Sequence, residues 1–176
     1  MTRQTTLIWL VPVIAAVVFA ADQLSKYWVS TALLVGQSWM PIAALEPLIR
    51  ITRVQNSGAA FGMFPAAGSV FLAVAVIVVI GIVRYYYTRA LSAPLWVRFG
   101  LGLMLGGALG NLIDRIRFGY VVDFFDLGWF PVFNVADSSI VIGVTLLAIY
   151  VGFIQPKETQ PVEPRIDREP SAPSTT

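Results

Sequence analysis

The sequence predicts an α-helical integral membrane protein with four transmembrane helices, loops and a small extracytoplasmic β element. Three observations carry this expectation. Of 176 residues, 57% are hydrophobic and only 12% are charged, against roughly a quarter charged in an ordinary soluble domain. Four windows stay apolar over the roughly 20 residues that a helix needs to cross a hydrocarbon core. One segment outside the membrane alternates apolar and polar residues, the period of a strand. The length suits one domain, so residues 1–155 read as a single membrane-embedded unit. Residues 156–176 read as a disordered cytoplasmic tail, with five of the eleven prolines and mixed charge.

The first window, Gln4–Ala21, is uncharged and continues as an amphipathic turn to Val29. Arg3, the apolar stretch and small residues around Ala20 also fit a cleavable leader. Apolar character persists through Leu24, Tyr27 and Trp28, and three more spans follow, so an uncleaved first helix is expected. Val54–Val83 is uncharged throughout, and its membrane part is placed at Ala66–Val83. Pro94–Ile113 contains only Arg98, and Ser138–Pro156 has no charge. Leu48–Gln55 alternates over its second half and is expected to form a short strand. Trp39, Trp129 and Phe130 suit the interfacial belt.

Lys and Arg near the span ends orient the bundle. The 84–98 connection holds Arg84, Arg89 and Arg98 with no acid, and Arg3 lies on the same side. With four spans, Lys157, Arg165 and Arg168 of the tail join them. Lys26, Arg50, Arg53, Arg115 and Arg117 fall on the other side. The short acid-free loop is the stronger witness and puts both termini in the cytoplasm.

Composition also narrows the chemistry. The chain has no histidine and no cysteine, which removes the imidazole base, the thiolate nucleophile and the usual zinc ligands. A net charge of +2 is too small to suggest nucleic acid. Two aspartates remain near the outer ends of apolar segments, in Gly119-Tyr120-Val121-Val122-Asp123-Phe124 and Phe133-Asn134-Val135-Ala136-Asp137-Ser138. Asn134 fits an N-cap and Asp137 the third position of the last helix, where free N–H groups favour acids. For Asp137 alone, capping is a sufficient reading. Asp123, between Val121-Val122 and Phe124-Phe125, has no such local reason, and burial there raises a carboxyl pKa. Two carboxylates close enough to share a proton leave one acid and one base near neutral pH. That pair can deprotonate a water and protonate a leaving amine.

Other polar residues at membrane depth are expensive and therefore candidates. Asp22 and Lys26 stand at i and i+4, acid first, and fit either an interfacial ion pair or a role in orienting substrate. Gly102, Gly106 and Gly110 form a stripe along which a neighbouring helix can approach. Gly107, Asn111 and Arg115 form a second line with Asp114 beside it. An interfacial Asp–Arg pair is the plain reading there, and a hydrogen-bonding role near the carboxylates is the sharper one for Asn111 and Arg115. Asn56-Ser57-Gly58-Ala59-Ala60-Phe61-Gly62 reads by itself as a turn before the second span.

Taken together these blocks resemble lipoprotein signal peptidase, the bacterial signal peptidase II, an aspartyl protease of the cytoplasmic membrane. The likeness runs from about Asp22 to the end of the fourth span and rests on five blocks in order. They are Asp22-Gln23-Leu24-Ser25-Lys26, the Asn56–Gly62 block, Gly110-Asn111-Leu112-Ile113-Asp114-Arg115, Val121-Val122-Asp123-Phe124 and Phe133–Ser138. The resemblance implies a catalytic dyad of Asp123 and Asp137. It implies supporting or substrate-binding roles for Asp22, Lys26, Asn56, Gly58, Asn111, Arg115 and Asn134. It further implies cleavage of lipid-modified prolipoproteins before the lipidated cysteine, contact with membrane lipids, and inhibition by globomycin-type cyclic peptides. A monomer in the inner membrane is expected, with the site at the outer face and no cofactor or metal. The helix N-terminus at Asp137 predicts that it ionises more readily, leaving the shared proton on Asp123.

Two rivals are weaker on the residues. A serine–lysine dyad would have to use Lys26 with Ser57, Ser138 or Ser139, and the neighbouring Asp22 would keep that lysine charged. A transporter subunit would string its acids across the membrane rather than gather them at one interface, and no inverted repeat is evident.

Overall fold

The computed structural model describes residues 8–58, 67–88 and 93–154. Four helices there are long and apolar enough to cross a membrane: Leu10–Ala32, Ser69–Thr88, Leu95–Phe118 and Val135–Ile154. We label them α1 (Leu10–Ala32), α2 (Ala67–Thr88), α3 (Leu95–Phe118) and α4 (Val135–Ile149, continued by a π-helical turn over Tyr150–Ile154). The 156–176 tail, Arg3, Arg89 and Ala59–Gly62 lie outside the described residues.

The first helix runs past its uncharged window and through the amphipathic turn expected to reach Val29. The helix carries Asp22 and Lys26 inside its body and ends at Ala32. Both are buried on the face that also packs Val11, Ala15, Val18 and Val29. An apolar window stops at a charged residue, whereas a helix passes through it when the neighbouring helices supply partners.

α3 is the packing axis. A Cβ on Gly102 would stand 2.7 Å from Ile14 Cβ, and one on Gly106 would stand 2.7 Å from the Ala15 carbonyl. One on Gly110 would run into the Asp22 carboxylate. That glycine stripe is therefore the seat of α1, by close backbone approach. The second line faces α4: a Cβ on Gly107 would collide with the Ala136 carbonyl, and Gly100 and Gly143 approach each other lower down. α2 joins at the other end of the bundle through Ile82 and Tyr86, which pack with Val11, Val97, Leu101 and Ala108. The Tyr86 hydroxyl donates to the Ile8 carbonyl there.

The β element is a three-stranded antiparallel sheet in the order β1 (Ser38–Trp39), β2 (Arg50–Asn56), β3 (Val121–Asp126). β2 is the alternating segment read from the sequence. β3 pairs Val54 with Asp123 and Asn56 with Val121, with a bulge on β2 between Ile51 and Val54. Asp126 closes the far end of the pairing, accepting from Arg50 Nε at 2.7 Å and Thr52 Oγ1 at 2.8 Å. Burial pulls the Asp126 carboxyl up, but these bonds and one from the Gly128 N–H outweigh it and hold its pKa below the usual range.

Three links fix the sheet on the bundle. Arg53 donates from Nη1 to the Ser30 and Leu33 carbonyls at 3.0 and 2.8 Å, closing the C-terminus of α1. Gly119, with φ of 78°, takes the left-handed position after α3 and turns the chain into β3. Phe133 then pairs with Phe125 through N–H···O bonds of 2.7 and 3.1 Å, bringing the start of α4 alongside β3. Trp39, Trp129 and Phe130 are exposed, as interfacial aromatics would be.

Candidate active site

Asp123 and Asp137 reach one place by different routes. Asp123 projects from the buried strand β3 and is only 2% exposed. Asp137 sits in the first turn of α4 and is half-buried, the more accessible of the two. Asn134 joins them. Its side-chain oxygen accepts the Asp137 N–H at 2.9 Å, and Asp137 Oδ2 accepts the Asn134 N–H at 3.2 Å, a reciprocal capping box. With its oxygen so occupied, the Asn134 amide turns Nδ2 toward Asp123 Oδ1 at 2.6 Å. The other oxygen of Asp123 accepts from Asn56 Nδ2 at 2.8 Å. Asn56 is oriented the same way, since its own oxygen takes the Gly58 N–H at 2.9 Å.

Asn111 on α3 completes the ring. It donates from Nδ2 to Asp137 Oδ1 at 2.7 Å and accepts at Oδ1 from Lys26 Nζ at 2.9 Å and Asn134 Nδ2 at 3.1 Å. Each aspartate thus accepts hydrogen bonds on both oxygens from neutral amides, and the two are tied through Asn134 and Asn111. Burial is the main reason that the Asp123 pKa rises to about 6, and the Asp137 charge contributes to the rise. The bonds from Asn56 and Asn134 and the charge of Lys26 pull the other way. The result is a carboxyl able to hold or release a proton near neutral pH.

Lys26 does not face water. It is paired with Asp22 Oδ2 at 2.8 Å and Asp114 Oδ2 at 2.9 Å. Asp114 is 1% exposed and pairs with Lys26, so the interfacial Asp114–Arg115 pair is not formed. Arg115 donates to the Asn111 carbonyl at 3.1 Å, and its charge interacts with Asp137, Asp123 and Asp114. Among the described residues, no group of three or more acids is arranged to hold a metal ion.

The family model for signal peptidase (SPase) II matches residues 14–153, the whole stretch that builds this ring. The chain belongs to the signal peptidase II family. A lipoprotein signal peptidase of Halothermothrix orenii is 44% identical over 81% of this chain and 94% of its own length. Another, from Moorella thermoacetica, is 49% identical over 76% and 87%. A bacterial membrane enzyme solved by the in meso method at 1.9 Å resolution superposes with a TM-score of 0.74 at 35% identity, covering 82% of this chain and 94% of that one.

Within this member of the signal peptidase II family, Asp22, Lys26, Asn56, Asn111, Asn134, Asp123 and Asp137 converge. Gly58 stands behind Asn56 rather than in the ring, and Arg115 touches the ring through the Asn111 carbonyl. Gln23 and Asp114 enter as additions. Gln23 Nε2 donates to Asp114 Oδ1 at 2.9 Å and to the Gly110 carbonyl at 3.3 Å. Both were visible as polar residues beside apolar helices, but nothing local showed that they meet.

Proposed function

We propose that the chain is an aspartic endopeptidase that removes the signal peptide from diacylglyceryl-modified prolipoproteins, cutting before the lipidated cysteine. The observation that carries this reading is the Asn134–Asn111 bridge, which holds two carboxylates in one hydrogen-bonded ring while burial raises the pKa of one of them. Asp137, at a helix N-terminus and nearer to solvent, is the base. Asp123 is the acid and holds the proton that the pair shares.

In the proposed cycle, Asp137 takes a proton from water as its oxygen attacks the scissile carbonyl carbon. Asp123 gives its proton to the carbonyl oxygen, forming the neutral diol. As the C–N bond breaks, the proton held by Asp137 goes to the leaving amine and a diol proton returns to Asp123. The dyad is then restored, with no covalent intermediate and no cofactor. The lipid-facing helices would hold the substrate's signal helix and acyl chains, and the basic 84–98 loop supports a cytoplasmic side opposite the ring. The site would then face outward in the inner membrane, where a globomycin-type peptide would compete with substrate for a monomeric enzyme. The serine–lysine rival loses support: Lys26 bonds two acids and Asn111, while Ser138 and Ser139 donate to carbonyls of their own helix.

Purified protein in detergent should cleave a diacylglyceryl-modified prolipoprotein and leave the unlipidated form intact. Equal rates on both forms would rule out lipid recognition. The pH profile gives a sharper check. Asp123 must be protonated to act as the acid, so kcat/KM should fall as pH rises through about 6. Asn56 donates to the ionised form and favours it. Asn56→Ala should therefore move the descending limb to higher pH, by about one unit. A limb that stays put or moves to lower pH contradicts the assignment.

A further inference from the structure

Behind the ring lies a buried charge cluster that the cycle above does not use. Lys26 has three protons to donate and three acceptors: Asp22 Oδ2 at 2.8 Å, Asp114 Oδ2 at 2.9 Å and Asn111 Oδ1 at 2.9 Å. Each acceptor leads to a different part of the site. The second oxygen of Asp22 accepts the N–H of Ala136, the residue before Asp137, at 3.0 Å. Asp114 Oδ2 also receives the N–H of Val122, the residue before Asp123, at 3.4 Å, and Gln23 steadies its other oxygen. Asn111 turns its amide to Asp137 itself.

A buried ion cluster is weak evidence for stability, because the cost of taking the charges out of water offsets much of their attraction. Geometry is the better account here. One ammonium on α1 reaches the start of α4 through Asp22 and β3 through Asp114, the two elements that carry the aspartates. We propose that Lys26, with Asp22 and Asp114, is the positioning centre that sets Asp123 and Asp137 against each other. This inference rests on the dyad reading above. None of the three bonds either dyad carboxylate directly; their hydrogen bonds reach the dyad through the backbone of Val122 and Ala136 and through Asn111. The pairing of glycine and acid on the α1–α3 seam fits the role: Gly110 has no side chain because Asp22 occupies that space.

The test uses the full chain in detergent with a diacylglyceryl-modified prolipoprotein. Lys26→Met should lower kcat by about tenfold or more while KM stays within about twofold, the pattern of an interaction that matters in the transition state. Asp123 is faced by Lys26 of α1, Arg115 of α3 and Asp137 of α4. Losing the lysine's charge disfavours the ionised acid, so the descending limb of kcat/KM should also move to higher pH. Because Lys26→Met leaves two buried acids unpaired, a triple variant (Asp22→Asn, Lys26→Met, Asp114→Asn) serves beside it. It should unfold near the wild-type temperature and show the same loss of kcat.

A folded triple variant with wild-type kcat would overturn the proposal. So would an unfolded one, since the cluster would then be holding the bundle rather than the site, and so would a loss confined to KM. Asp123→Asn separates the two levels: activity retained there sinks the dyad, whereas a dead Asp123→Asn beside an active triple variant sinks only the positioning centre.

Discussion

Asp123→Asn and Asp137→Asn should each lower kcat by about 10³- to 10⁴-fold, at the upper end of what acid–base groups contribute. The double variant should be scarcely worse than either single one, because residues that act as a unit do not add. Full activity in either single variant would end the dyad reading. Asp123→Asn carries a second signature in stability. Its carboxyl is raised to about 6 by burial and by Asp137. A raised carboxyl pKa contributes stability that is fully present below the unfolded value of about 3.9, and that is lost as pH rises through the folded value. At pH 8 the ionised side chain is therefore a burden on the native state. The asparagine removes that burden but leaves one of the Asn56 and Asn134 donors without its acceptor. Thermal unfolding at pH 8 should consequently be little changed while turnover collapses.

Asn134 should show the next largest effect, and two substitutions separate its jobs. Asn134→Ala removes the cap of α4, costing about 1 kcal/mol or more, together with the amide that faces Asp123. Asn134→Asp keeps a good capping residue but replaces that amide with an acceptor beside a buried carboxylate. The alanine variant should lose both stability and activity. The aspartate variant should keep most of the helix's stability and still lose about 100-fold or more in kcat, since the acid is mispositioned and its pKa driven up. Equal activity losses without any difference in unfolding temperature would mean that the cap is irrelevant. Wild-type turnover in Asn134→Asp would mean that the bridge is.

The elements that the residues announced were those governed by local chemistry. Four apolar runs, the glycine stripes of α3, the alternation in β2 and the cap at Asn134 each follow from composition and spacing over a few turns. β3 was harder to read, because a strand buried on both faces is simply an apolar run, and only its pairing with β2 and Phe133 shows what Val121–Asp126 is. The uncharged window of α1 stops short of the helix for a related reason, although the amphipathic turn to Val29 comes within one turn of its end at Ala32. Asp22 and Lys26 look like the edge of the membrane until α3 and α4 supply their partners. Asp114 illustrates the limit: its sequence neighbour Arg115 is the obvious partner, yet its ion pair is formed with Lys26, 88 residues away along the chain. Partners on different helices leave no periodic trace.

The turn at Gly58 has a thermodynamic consequence. Gly58 adopts φ of 77° against the ring of Phe71 on α2, and its N–H occupies the oxygen of Asn56. The closed turn therefore holds Asn56 in the orientation that favours the ionised form of Asp123. Linkage makes the relation reciprocal. Whatever opens the turn makes Asp123 a weaker acid, and protonating Asp123 loosens the turn by the same free energy. The Gly58 turn and the proton on β3 thus report on one another through the Asn56 side chain.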